Sequence, residues 1–269
     1  MPHLELSLCR TILFLPASNP RAIEKARQLA ADMIVLDLED AVKEADKASA
    51  REAAVEAVRE GFGGRPAAIR INGEHNPHHG ADMLAVRRSG ARFVVLPKVE
   101  TARELNDARV VCERPVIAMI ETAGGVINAA QIARGAAGVI AGTNDLAAAL
   151  HIPADNARRG LATSLQQIVL AARAAGIAAF DGVHNRLDDE ESLSDEAREG
   201  RAFGFDGKSV IHPNQIAAVN RIFSPSADEL ATADALVAAA TGGAERHDGR
   251  MIEGMHVAQA RALIAKARR

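Results

Sequence analysis

The sequence predicts an α/β chain closed into a (β/α)8 TIM barrel with a C-terminal helical extension, and three observations carry that reading. Eight short apolar or β-branched runs recur along the chain, Ala-rich stretches with helical spacing separate them, and the 269 residues match the usual size of one such barrel. The runs are Thr11–Ala17, Met33–Leu38, Ala67–Asn72, Phe93–Val99, Val116–Glu121, Gly138–Thr143, Ala178–Val183 and Lys208–His212. Several are apolar almost throughout, as strands buried on both faces must be. Between them, Ala22–Ala31, Glu52–Glu60 and Leu161–Gly176 carry apolar residues at helical spacing, the last ending in glycine as a crossover helix should. The chain then divides into a barrel domain over residues 1–223 and a C-terminal helical extension over 224–269. In the extension Ser224-Pro225-Ser226 opens a helix, Thr241–Asp248 reads as a polar linker, and a last helix runs around Val257–Arg268.

An open doubly wound sheet would place a Gly-rich turn after its first strand. Here that turn reads Pro16-Ala17-Ser18-Asn19-Pro20. The cluster Gly61-Phe62-Gly63-Gly64 precedes a strand instead of following one, so it reads as a loop or helix stop.

Composition removes several function classes. Hydrophobic residues at 48% supply a sizeable core, so disorder is not expected. The net charge of −3, from 32 basic and 35 acidic residues interspersed, leaves no basic field for a nucleic acid, and without Trp or Tyr few bases could stack. No apolar run approaches the ~20 residues of a membrane span. Met1-Pro2-His3-Leu4-Glu5 lacks the regions of a signal peptide, and Cys9 and Cys112 are too few for a disulfide framework or a zinc knuckle. A cytoplasmic protein with two packing cysteines is expected.

In such a barrel the active site lies at the C-terminal ends of the strands, so the polar residues that end the apolar runs are the candidates. They are Asp37, Glu39 and Asp40, then Arg70 and Asn72, Lys98, Glu121, Asn144 and Asp145, Asp181 and His212. Glu121 and Asp145 end the adjacent fifth and sixth strands, where they can share one cation. Two carboxylates with water and substrate completing the shell suit Mg²⁺, whereas zinc would call for His or Cys. Arg70 has a planar fork suited to a carboxylate or acyl oxygen, which implies an anionic substrate; the alternative is a structural ion pair with one of the acids. Glu39 and Asp40 either join the site or stabilise a helix N-terminus. The loop Gly73–Gly80, with His75, His78 and His79, lacks the i, i+4 pairing that aligns two imidazoles on one metal and reads as solvated. Asp188-Asp189-Glu190-Glu191 reads as a solvated helix start, without the glycine of a calcium loop.

Six motifs in order then bear on family. They are Leu13-Phe14-Leu15-Pro16-Ala17-Ser18-Asn19, Val35-Leu36-Asp37-Leu38-Glu39-Asp40-Ala41-Val42, Ile69-Arg70-Ile71-Asn72, Leu96-Pro97-Lys98-Val99-Glu100, Ile120-Glu121-Thr122-Ala123-Gly124-Gly125 and Gly207-Lys208-Ser209-Val210-Ile211-His212-Pro213-Asn214-Gln215. Over nearly its whole length the chain resembles the citrate lyase β-subunit-like family of the HpcH/HpaI aldolase superfamily. The resemblance implies a Mg²⁺-dependent carbon–carbon lyase that cleaves or forms a 3-hydroxyacyl-CoA such as malyl-, citramalyl- or citryl-CoA, with an acyl-CoA and a 2-oxo acid as the other side of the reaction. It implies Glu121 and Asp145 on the metal, Arg70 and Glu121 at the substrate, and Phe14, Arg21, Ile211 and His212 along the CoA pocket, with Arg21 on the nucleotide phosphates. It also implies a homo-oligomer, a trimer or hexamer, in which the tail covers a neighbour's site and brings Glu253 there as acid or base. An acyl-carrier partner is left open.

Three departures from the family pattern bear on substrate choice. Gly142-Thr143-Asn144-Asp145 stands where Gly-x-Glu-Asp is common, Phe14 where some lyases have Tyr, and Met251-Ile252-Glu253 where Met-Ile-Asp is usual. The competing readings are a CoA-independent class II pyruvate aldolase, a malyl-CoA thioesterase and a non-catalytic subunit of a complex.

Overall fold

Eight parallel strands close on themselves in chain order: β1 Thr11–Pro16, β2 Met33–Asp37, β3 Ala67–Arg70, β4 Phe93–Leu96, β5 Val116–Ile120, β6 Gly138–Ala141, β7 Ala178–Asp181 and β8 Gly207–Val210. Closure is made by β1 with β8, Leu13 standing opposite Val210. This computed structural model describes residues 6–153, 157–241, 243, 245–247 and 250–267. The helices between and after the strands are α1 Pro20–Ala26, α2 Lys47–Glu60, α3 His79–Arg88, α4 Ala102–Cys112, α5 Ala123–Ile127, α6 Ala129–Ala133, α7 Thr143–Ala149, α8 Ala157–Ala175, α9 Glu190–Phe203, α10 Pro213–Phe223, α11 Ala227–Ala239 and α12 Gly254–Ala267. The expected eight-stranded barrel is therefore the observed one. Among the described residues no helix is long and apolar enough to cross a membrane.

Each strand ends one to three residues before its apolar run does: β5 stops at Ile120, before Glu121, and β4 at Leu96, before Lys98. The runs outlast the ladders because apolar residues just past the strand ends, Ala17, Leu38, Ile71 and Val99, are still buried. Helix starts follow local chemistry. Asn19 caps α1 ahead of Pro20, Asp189 caps α9, and Ser226 with Glu229 forms a capping box at α11.

Alternation along each strand separates two cores. Ile12, Phe14, Met33, Val35, Ala68, Ile117 and Met119 fill the barrel interior, while Leu13, Leu15, Ile34, Leu36 and Ile69 pack outward against the helices. The same parity sends Asp37, Arg70 and Glu121 inward. It sends Asp181 and Lys208 outward, which corrects the placement of Asp181 among the mouth residues. Both are fully buried. Lys208 Nζ donates to Asp181 Oδ2 at 3.1 Å, Glu196 Oε1 at 2.6 Å and the Gly182 carbonyl at 2.6 Å, and Arg158 adds 2.8 Å to Asp181 Oδ1. Burial opposes the charge on Asp181, but Lys208 and Arg158 more than offset it and hold its carboxyl below the usual range. Lys208→Met leaves buried carboxylates short of a partner, so a loss of about 3 kcal/mol is expected, with the Tm falling by roughly 10 °C. An unchanged melting curve would show the network to be dispensable.

Beyond the barrel the chain departs from expectation. The segment read as a linker holds β9 Glu245–His247, antiparallel to β10 Arg250–Ile252, with Arg250 opposite His247. Residues 242, 244 and 248 of that segment, Arg268 of the last helix and the first five residues lie outside the described residues. Helix α12 packs on α11, and near its end Lys266 donates to the Asp206 carbonyl and sits 5.7 Å from the centre of the Phe223 ring. Asp206 immediately precedes β8, so this helix end is fastened on the side of the barrel away from the mouth.

Candidate active site

A cavity of about 450 Å³ opens at the C-terminal ends of the strands, with Phe14, Met119 and Ile140 among its apolar walls and Arg70, Glu121 and Asp145 among its polar ones. Glu121 is the first residue past β5 and is 3% exposed. Its Oε1 accepts the Lys98 main-chain N–H at 2.8 Å, and a side chain at Gly142 would collide with its carboxylate, so the carboxylate packs directly on backbone. Burial, then the nearby charges of Glu39 and Asp145, push the Glu121 carboxyl up to about 7 against the pull of the Lys98 N–H and Arg70. Asp145 reaches the same cavity from the first turn of α7, on the neighbouring strand, its Oδ2 3.3 Å from Lys98 Nζ.

Arg70 ends β3 directly opposite Asp37 on β2. Its Nε and Nη2 donate to the two Asp37 oxygens at 2.6 Å each, so the structural ion pair considered from sequence is present while the guanidinium still lines the cavity. The Phe14 ring lies beneath, 5.4 Å from Arg70 Cζ. Burial works against the Arg70 charge, but Asp37, Glu39 and Glu121 more than offset it and hold the group above its ordinary value. Glu39 is no helix cap. It is buried, it accepts Lys98 Nζ on Oε1 at 2.6 Å, and its Oε2 stands 3.1 Å from Arg70 Nη1 without hydrogen-bond alignment. Burial pushes its carboxyl up despite both cations.

The donor set fits a divalent cation. Asp37, Glu39, Asp40, Glu121 and Asp145 face two cations, Arg70 and Lys98, so the acids outnumber the bases around this mouth. Among the described residues no group of three His, Cys, Asp or Glu side chains is arranged to hold a metal, so a cation here would take two protein carboxylates and fill its shell with other oxygens. Protons and Mg²⁺ would compete at Glu121. A carboxyl raised from 4.5 to about 7 favours folding while it is protonated and withdraws that support as pH rises between those values. The rise in Tm on adding Mg²⁺ is therefore expected to be small at about pH 5.5, to grow through pH 7 and to level off above it; a rise independent of pH would place the cation elsewhere.

The other expected residues separate. Phe14 and Ile211 line the cavity. Arg21 is exposed on α1 at the mouth rim. His212 caps α10, its Nδ1 2.6 Å from Asn214 Oδ1. Asn144 and Asn185 exchange amide hydrogen bonds of 3.2 and 2.7 Å at the cavity edge. Asn185 was missed from sequence, although it follows the seventh apolar run as Asn144 follows the sixth. Ser209, buried with no partner for its Oγ, also lines the cavity and was missed; its inward parity on β8 is the signal that could have found it. Glu253 is not among the residues lining this cavity; its N–H donates to His256 Nδ1 at 3.0 Å, and it lines a separate pocket with Val257 and Arg261.

Residues 10–213, spanning the whole barrel, match the model of the HpcH/HpaI aldolase/citrate lyase family. The chain belongs to that family. It is 41% identical to a (3S)-malyl-CoA thioesterase of Cereibacter sphaeroides, over 96% of this chain and 94% of that protein. It is 38% identical to the citrate lyase subunit beta of Leuconostoc mesenteroides, over 86% and 82%. The crystal structure of the protein CitE from Mycobacterium tuberculosis in complex with magnesium, acetoacetate and coenzyme A superposes with a TM-score of 0.80 at 35% identity, covering 98% of this chain and all of that one. The barrel reading and the family resemblance thus meet in one conclusion, with relatives named as a thioesterase and as a lyase subunit.

Proposed function

We propose that the protein is a Mg²⁺-dependent lyase that cleaves, or in reverse forms, the carbon–carbon bond of a 3-hydroxyacyl-CoA such as malyl-, citramalyl- or citryl-CoA. The observation that carries this is the meeting of Glu121, Asp145 and a buried, cross-braced Arg70 in one cavity. Glu121 and Asp145 would hold the cation. When bound, Mg²⁺ supplies Lewis-acid polarisation at the substrate oxygen that becomes a carbonyl. Arg70, fixed by Asp37, directs its remaining N–H edge at the thioester, where negative charge develops as the bond breaks and its electron pair passes to the acyl fragment. Phe14 and Ile211 wall the path of the CoA arm, Arg21 meets its phosphates from the rim, and His212 holds the start of α10 beside Ile211.

The hydroxyl proton has to leave and the acyl carbon has to gain one, and we assign this transfer to Glu253 of a neighbouring subunit. Within a single chain Glu253 does not reach the cavity, so the assignment requires a homo-oligomer, by family analogy a trimer. Mixing inactive Glu121→Gln and Glu253→Ala proteins is expected to restore part of the activity as subunits exchange. Exchange confirmed by mass with no activity regained would exclude the shared site.

A second reading, hydrolysis of malyl-CoA, is supported by the similarity to a thioesterase. Incubation with Mg²⁺ and a panel of malyl-, methylmalyl-, citramalyl- and citryl-CoA separates the two. A lyase releases a shorter acyl-CoA and a 2-oxo acid, whereas a thioesterase releases the intact hydroxy acid and free CoA. Turnover of the free acids alone would instead indicate a CoA-independent aldolase.

A further inference from the structure

Lys98 carries no role in the reading above, yet among the acids at the barrel mouth it touches Glu39, Asp40, Glu121 and Asp145. It sits just past β4 with φ +52°, a left-handed conformation that side-chain-bearing residues adopt rarely. That turn lets the two ends of one residue serve both proposed ligands. The main-chain N–H donates to Glu121 Oε1 at 2.8 Å, while Nζ donates to Glu39 Oε1 at 2.6 Å and lies 3.3 Å from Asp145 Oδ2 and 3.7 Å from Asp40 Oδ2. The ammonium therefore bridges β2 to the β6 side of the mouth. A divalent cation held by Glu121 and Asp145 would share Asp145 with this ammonium. It would carry twice the charge of the ammonium beside it, so the two cations compete for one carboxylate and the dication has the advantage.

We propose that Lys98 is the resident counter-cation of this acidic cluster, a positioning residue that holds Asp145 in place and yields it to the divalent cation by withdrawing onto Glu39 and Asp40. The proposal rests on the reading that Glu121 and Asp145 take Mg²⁺. Calorimetry with Mg²⁺ on the full-length protein is expected to show Lys98→Met binding about tenfold more tightly than wild type, because a like charge within a few ångströms has been removed. Lys98→Arg, which keeps a cation, should bind no more tightly than wild type. Without Mg²⁺ the Lys98→Met protein should melt below wild type, and saturating Mg²⁺ should bring it level; a merely structural lysine would lower both melting points alike. In the wild-type protein, acetylation of the Lys98 amine by acetic anhydride, read by mass, should rise several-fold when Mg²⁺ is added, which keeps the test open if the variant does not fold. Equal or weaker Mg²⁺ binding by Lys98→Met, or acetylation indifferent to Mg²⁺, overturns the proposal. Asp145→Asn tells the two failures apart. If it loses Mg²⁺ while Lys98→Met gains none, only the role of Lys98 falls; if it binds Mg²⁺ as wild type does, the metal reading falls with it.

Discussion

Glu121→Gln and Asp145→Asn are each expected to abolish measurable Mg²⁺ binding and to lower kcat/KM by ~10²-fold or more, the scale on which a single group that stabilises developing charge is felt. Both exchanges keep shape and remove charge. Their effects on the fold should differ, because the two carboxylates differ in burial. Glu121 is enclosed and its carboxyl is already pushed up to about 7, so the neutral amide removes a charge that burial penalises. Above pH 7 and without Mg²⁺, Glu121→Gln should melt at or above the wild-type temperature. Asp145 is partly exposed at the mouth and near Lys98, so its amide variant should melt close to wild type. Wild-type Mg²⁺ affinity in both variants would place the metal elsewhere, and loss of folding in Glu121→Gln would contradict the account of its burial.

Arg70→Lys should be nearly as damaging. The guanidinium makes two parallel bonds to Asp37, stands 3.1 Å from Glu39 and stacks over Phe14, and it still offers an edge to the cavity. An ammonium is a point donor and cannot hold Asp37 in a fork while facing the substrate. A loss of ~2 kcal/mol or more in transition-state binding is expected from the missing donor. A further loss of about 3 kcal/mol in stability is expected from the buried acids left imperfectly paired. Steady-state kinetics and thermal melts on the same preparation separate the two effects. A kcat/KM near wild type would remove Arg70 from the chemistry, and a lowered Tm with intact kinetics would leave it only the ion pair with Asp37.

The barrel was legible because its signal is local and repeated. A run such as Val116–Ile120 is apolar on both faces, and only a strand enclosed on both sides explains that. Glu121 and Asp145 were legible for the same reason: adjacent parallel strands bring the residues just beyond Ile120 and Ala141 to one rim. Arg70 was legible as a residue, but its partner was not, since two readings of its fork are equal until the register sets it opposite Asp37. Asp181 misled because it ends an apolar run as the site residues do; side-chain parity on β7 turns it outward to Lys208. Lys98 had a place and no role, for its bridge depends on a positive φ that no residue type announces. The strand Glu245–His247, paired with Arg250–Ile252, fell within a segment read as a linker, because three-residue strands are too short to show a period.

By itself the sequence determined the (β/α)8 architecture and the acids and the arginine that gather at the mouth. The tertiary structure alone decided which charges pair, that Glu39 belongs to the site, that Lys98 spans Glu39 and Asp145, and that Glu253 does not line its own chain's cavity. The division has one physical cause. Burial and period are properties of a short segment and are written in its residues, whereas an ion pair or a shared cation depends on distances of a few ångströms between loops far apart in the chain, fixed only when register and backbone turns are.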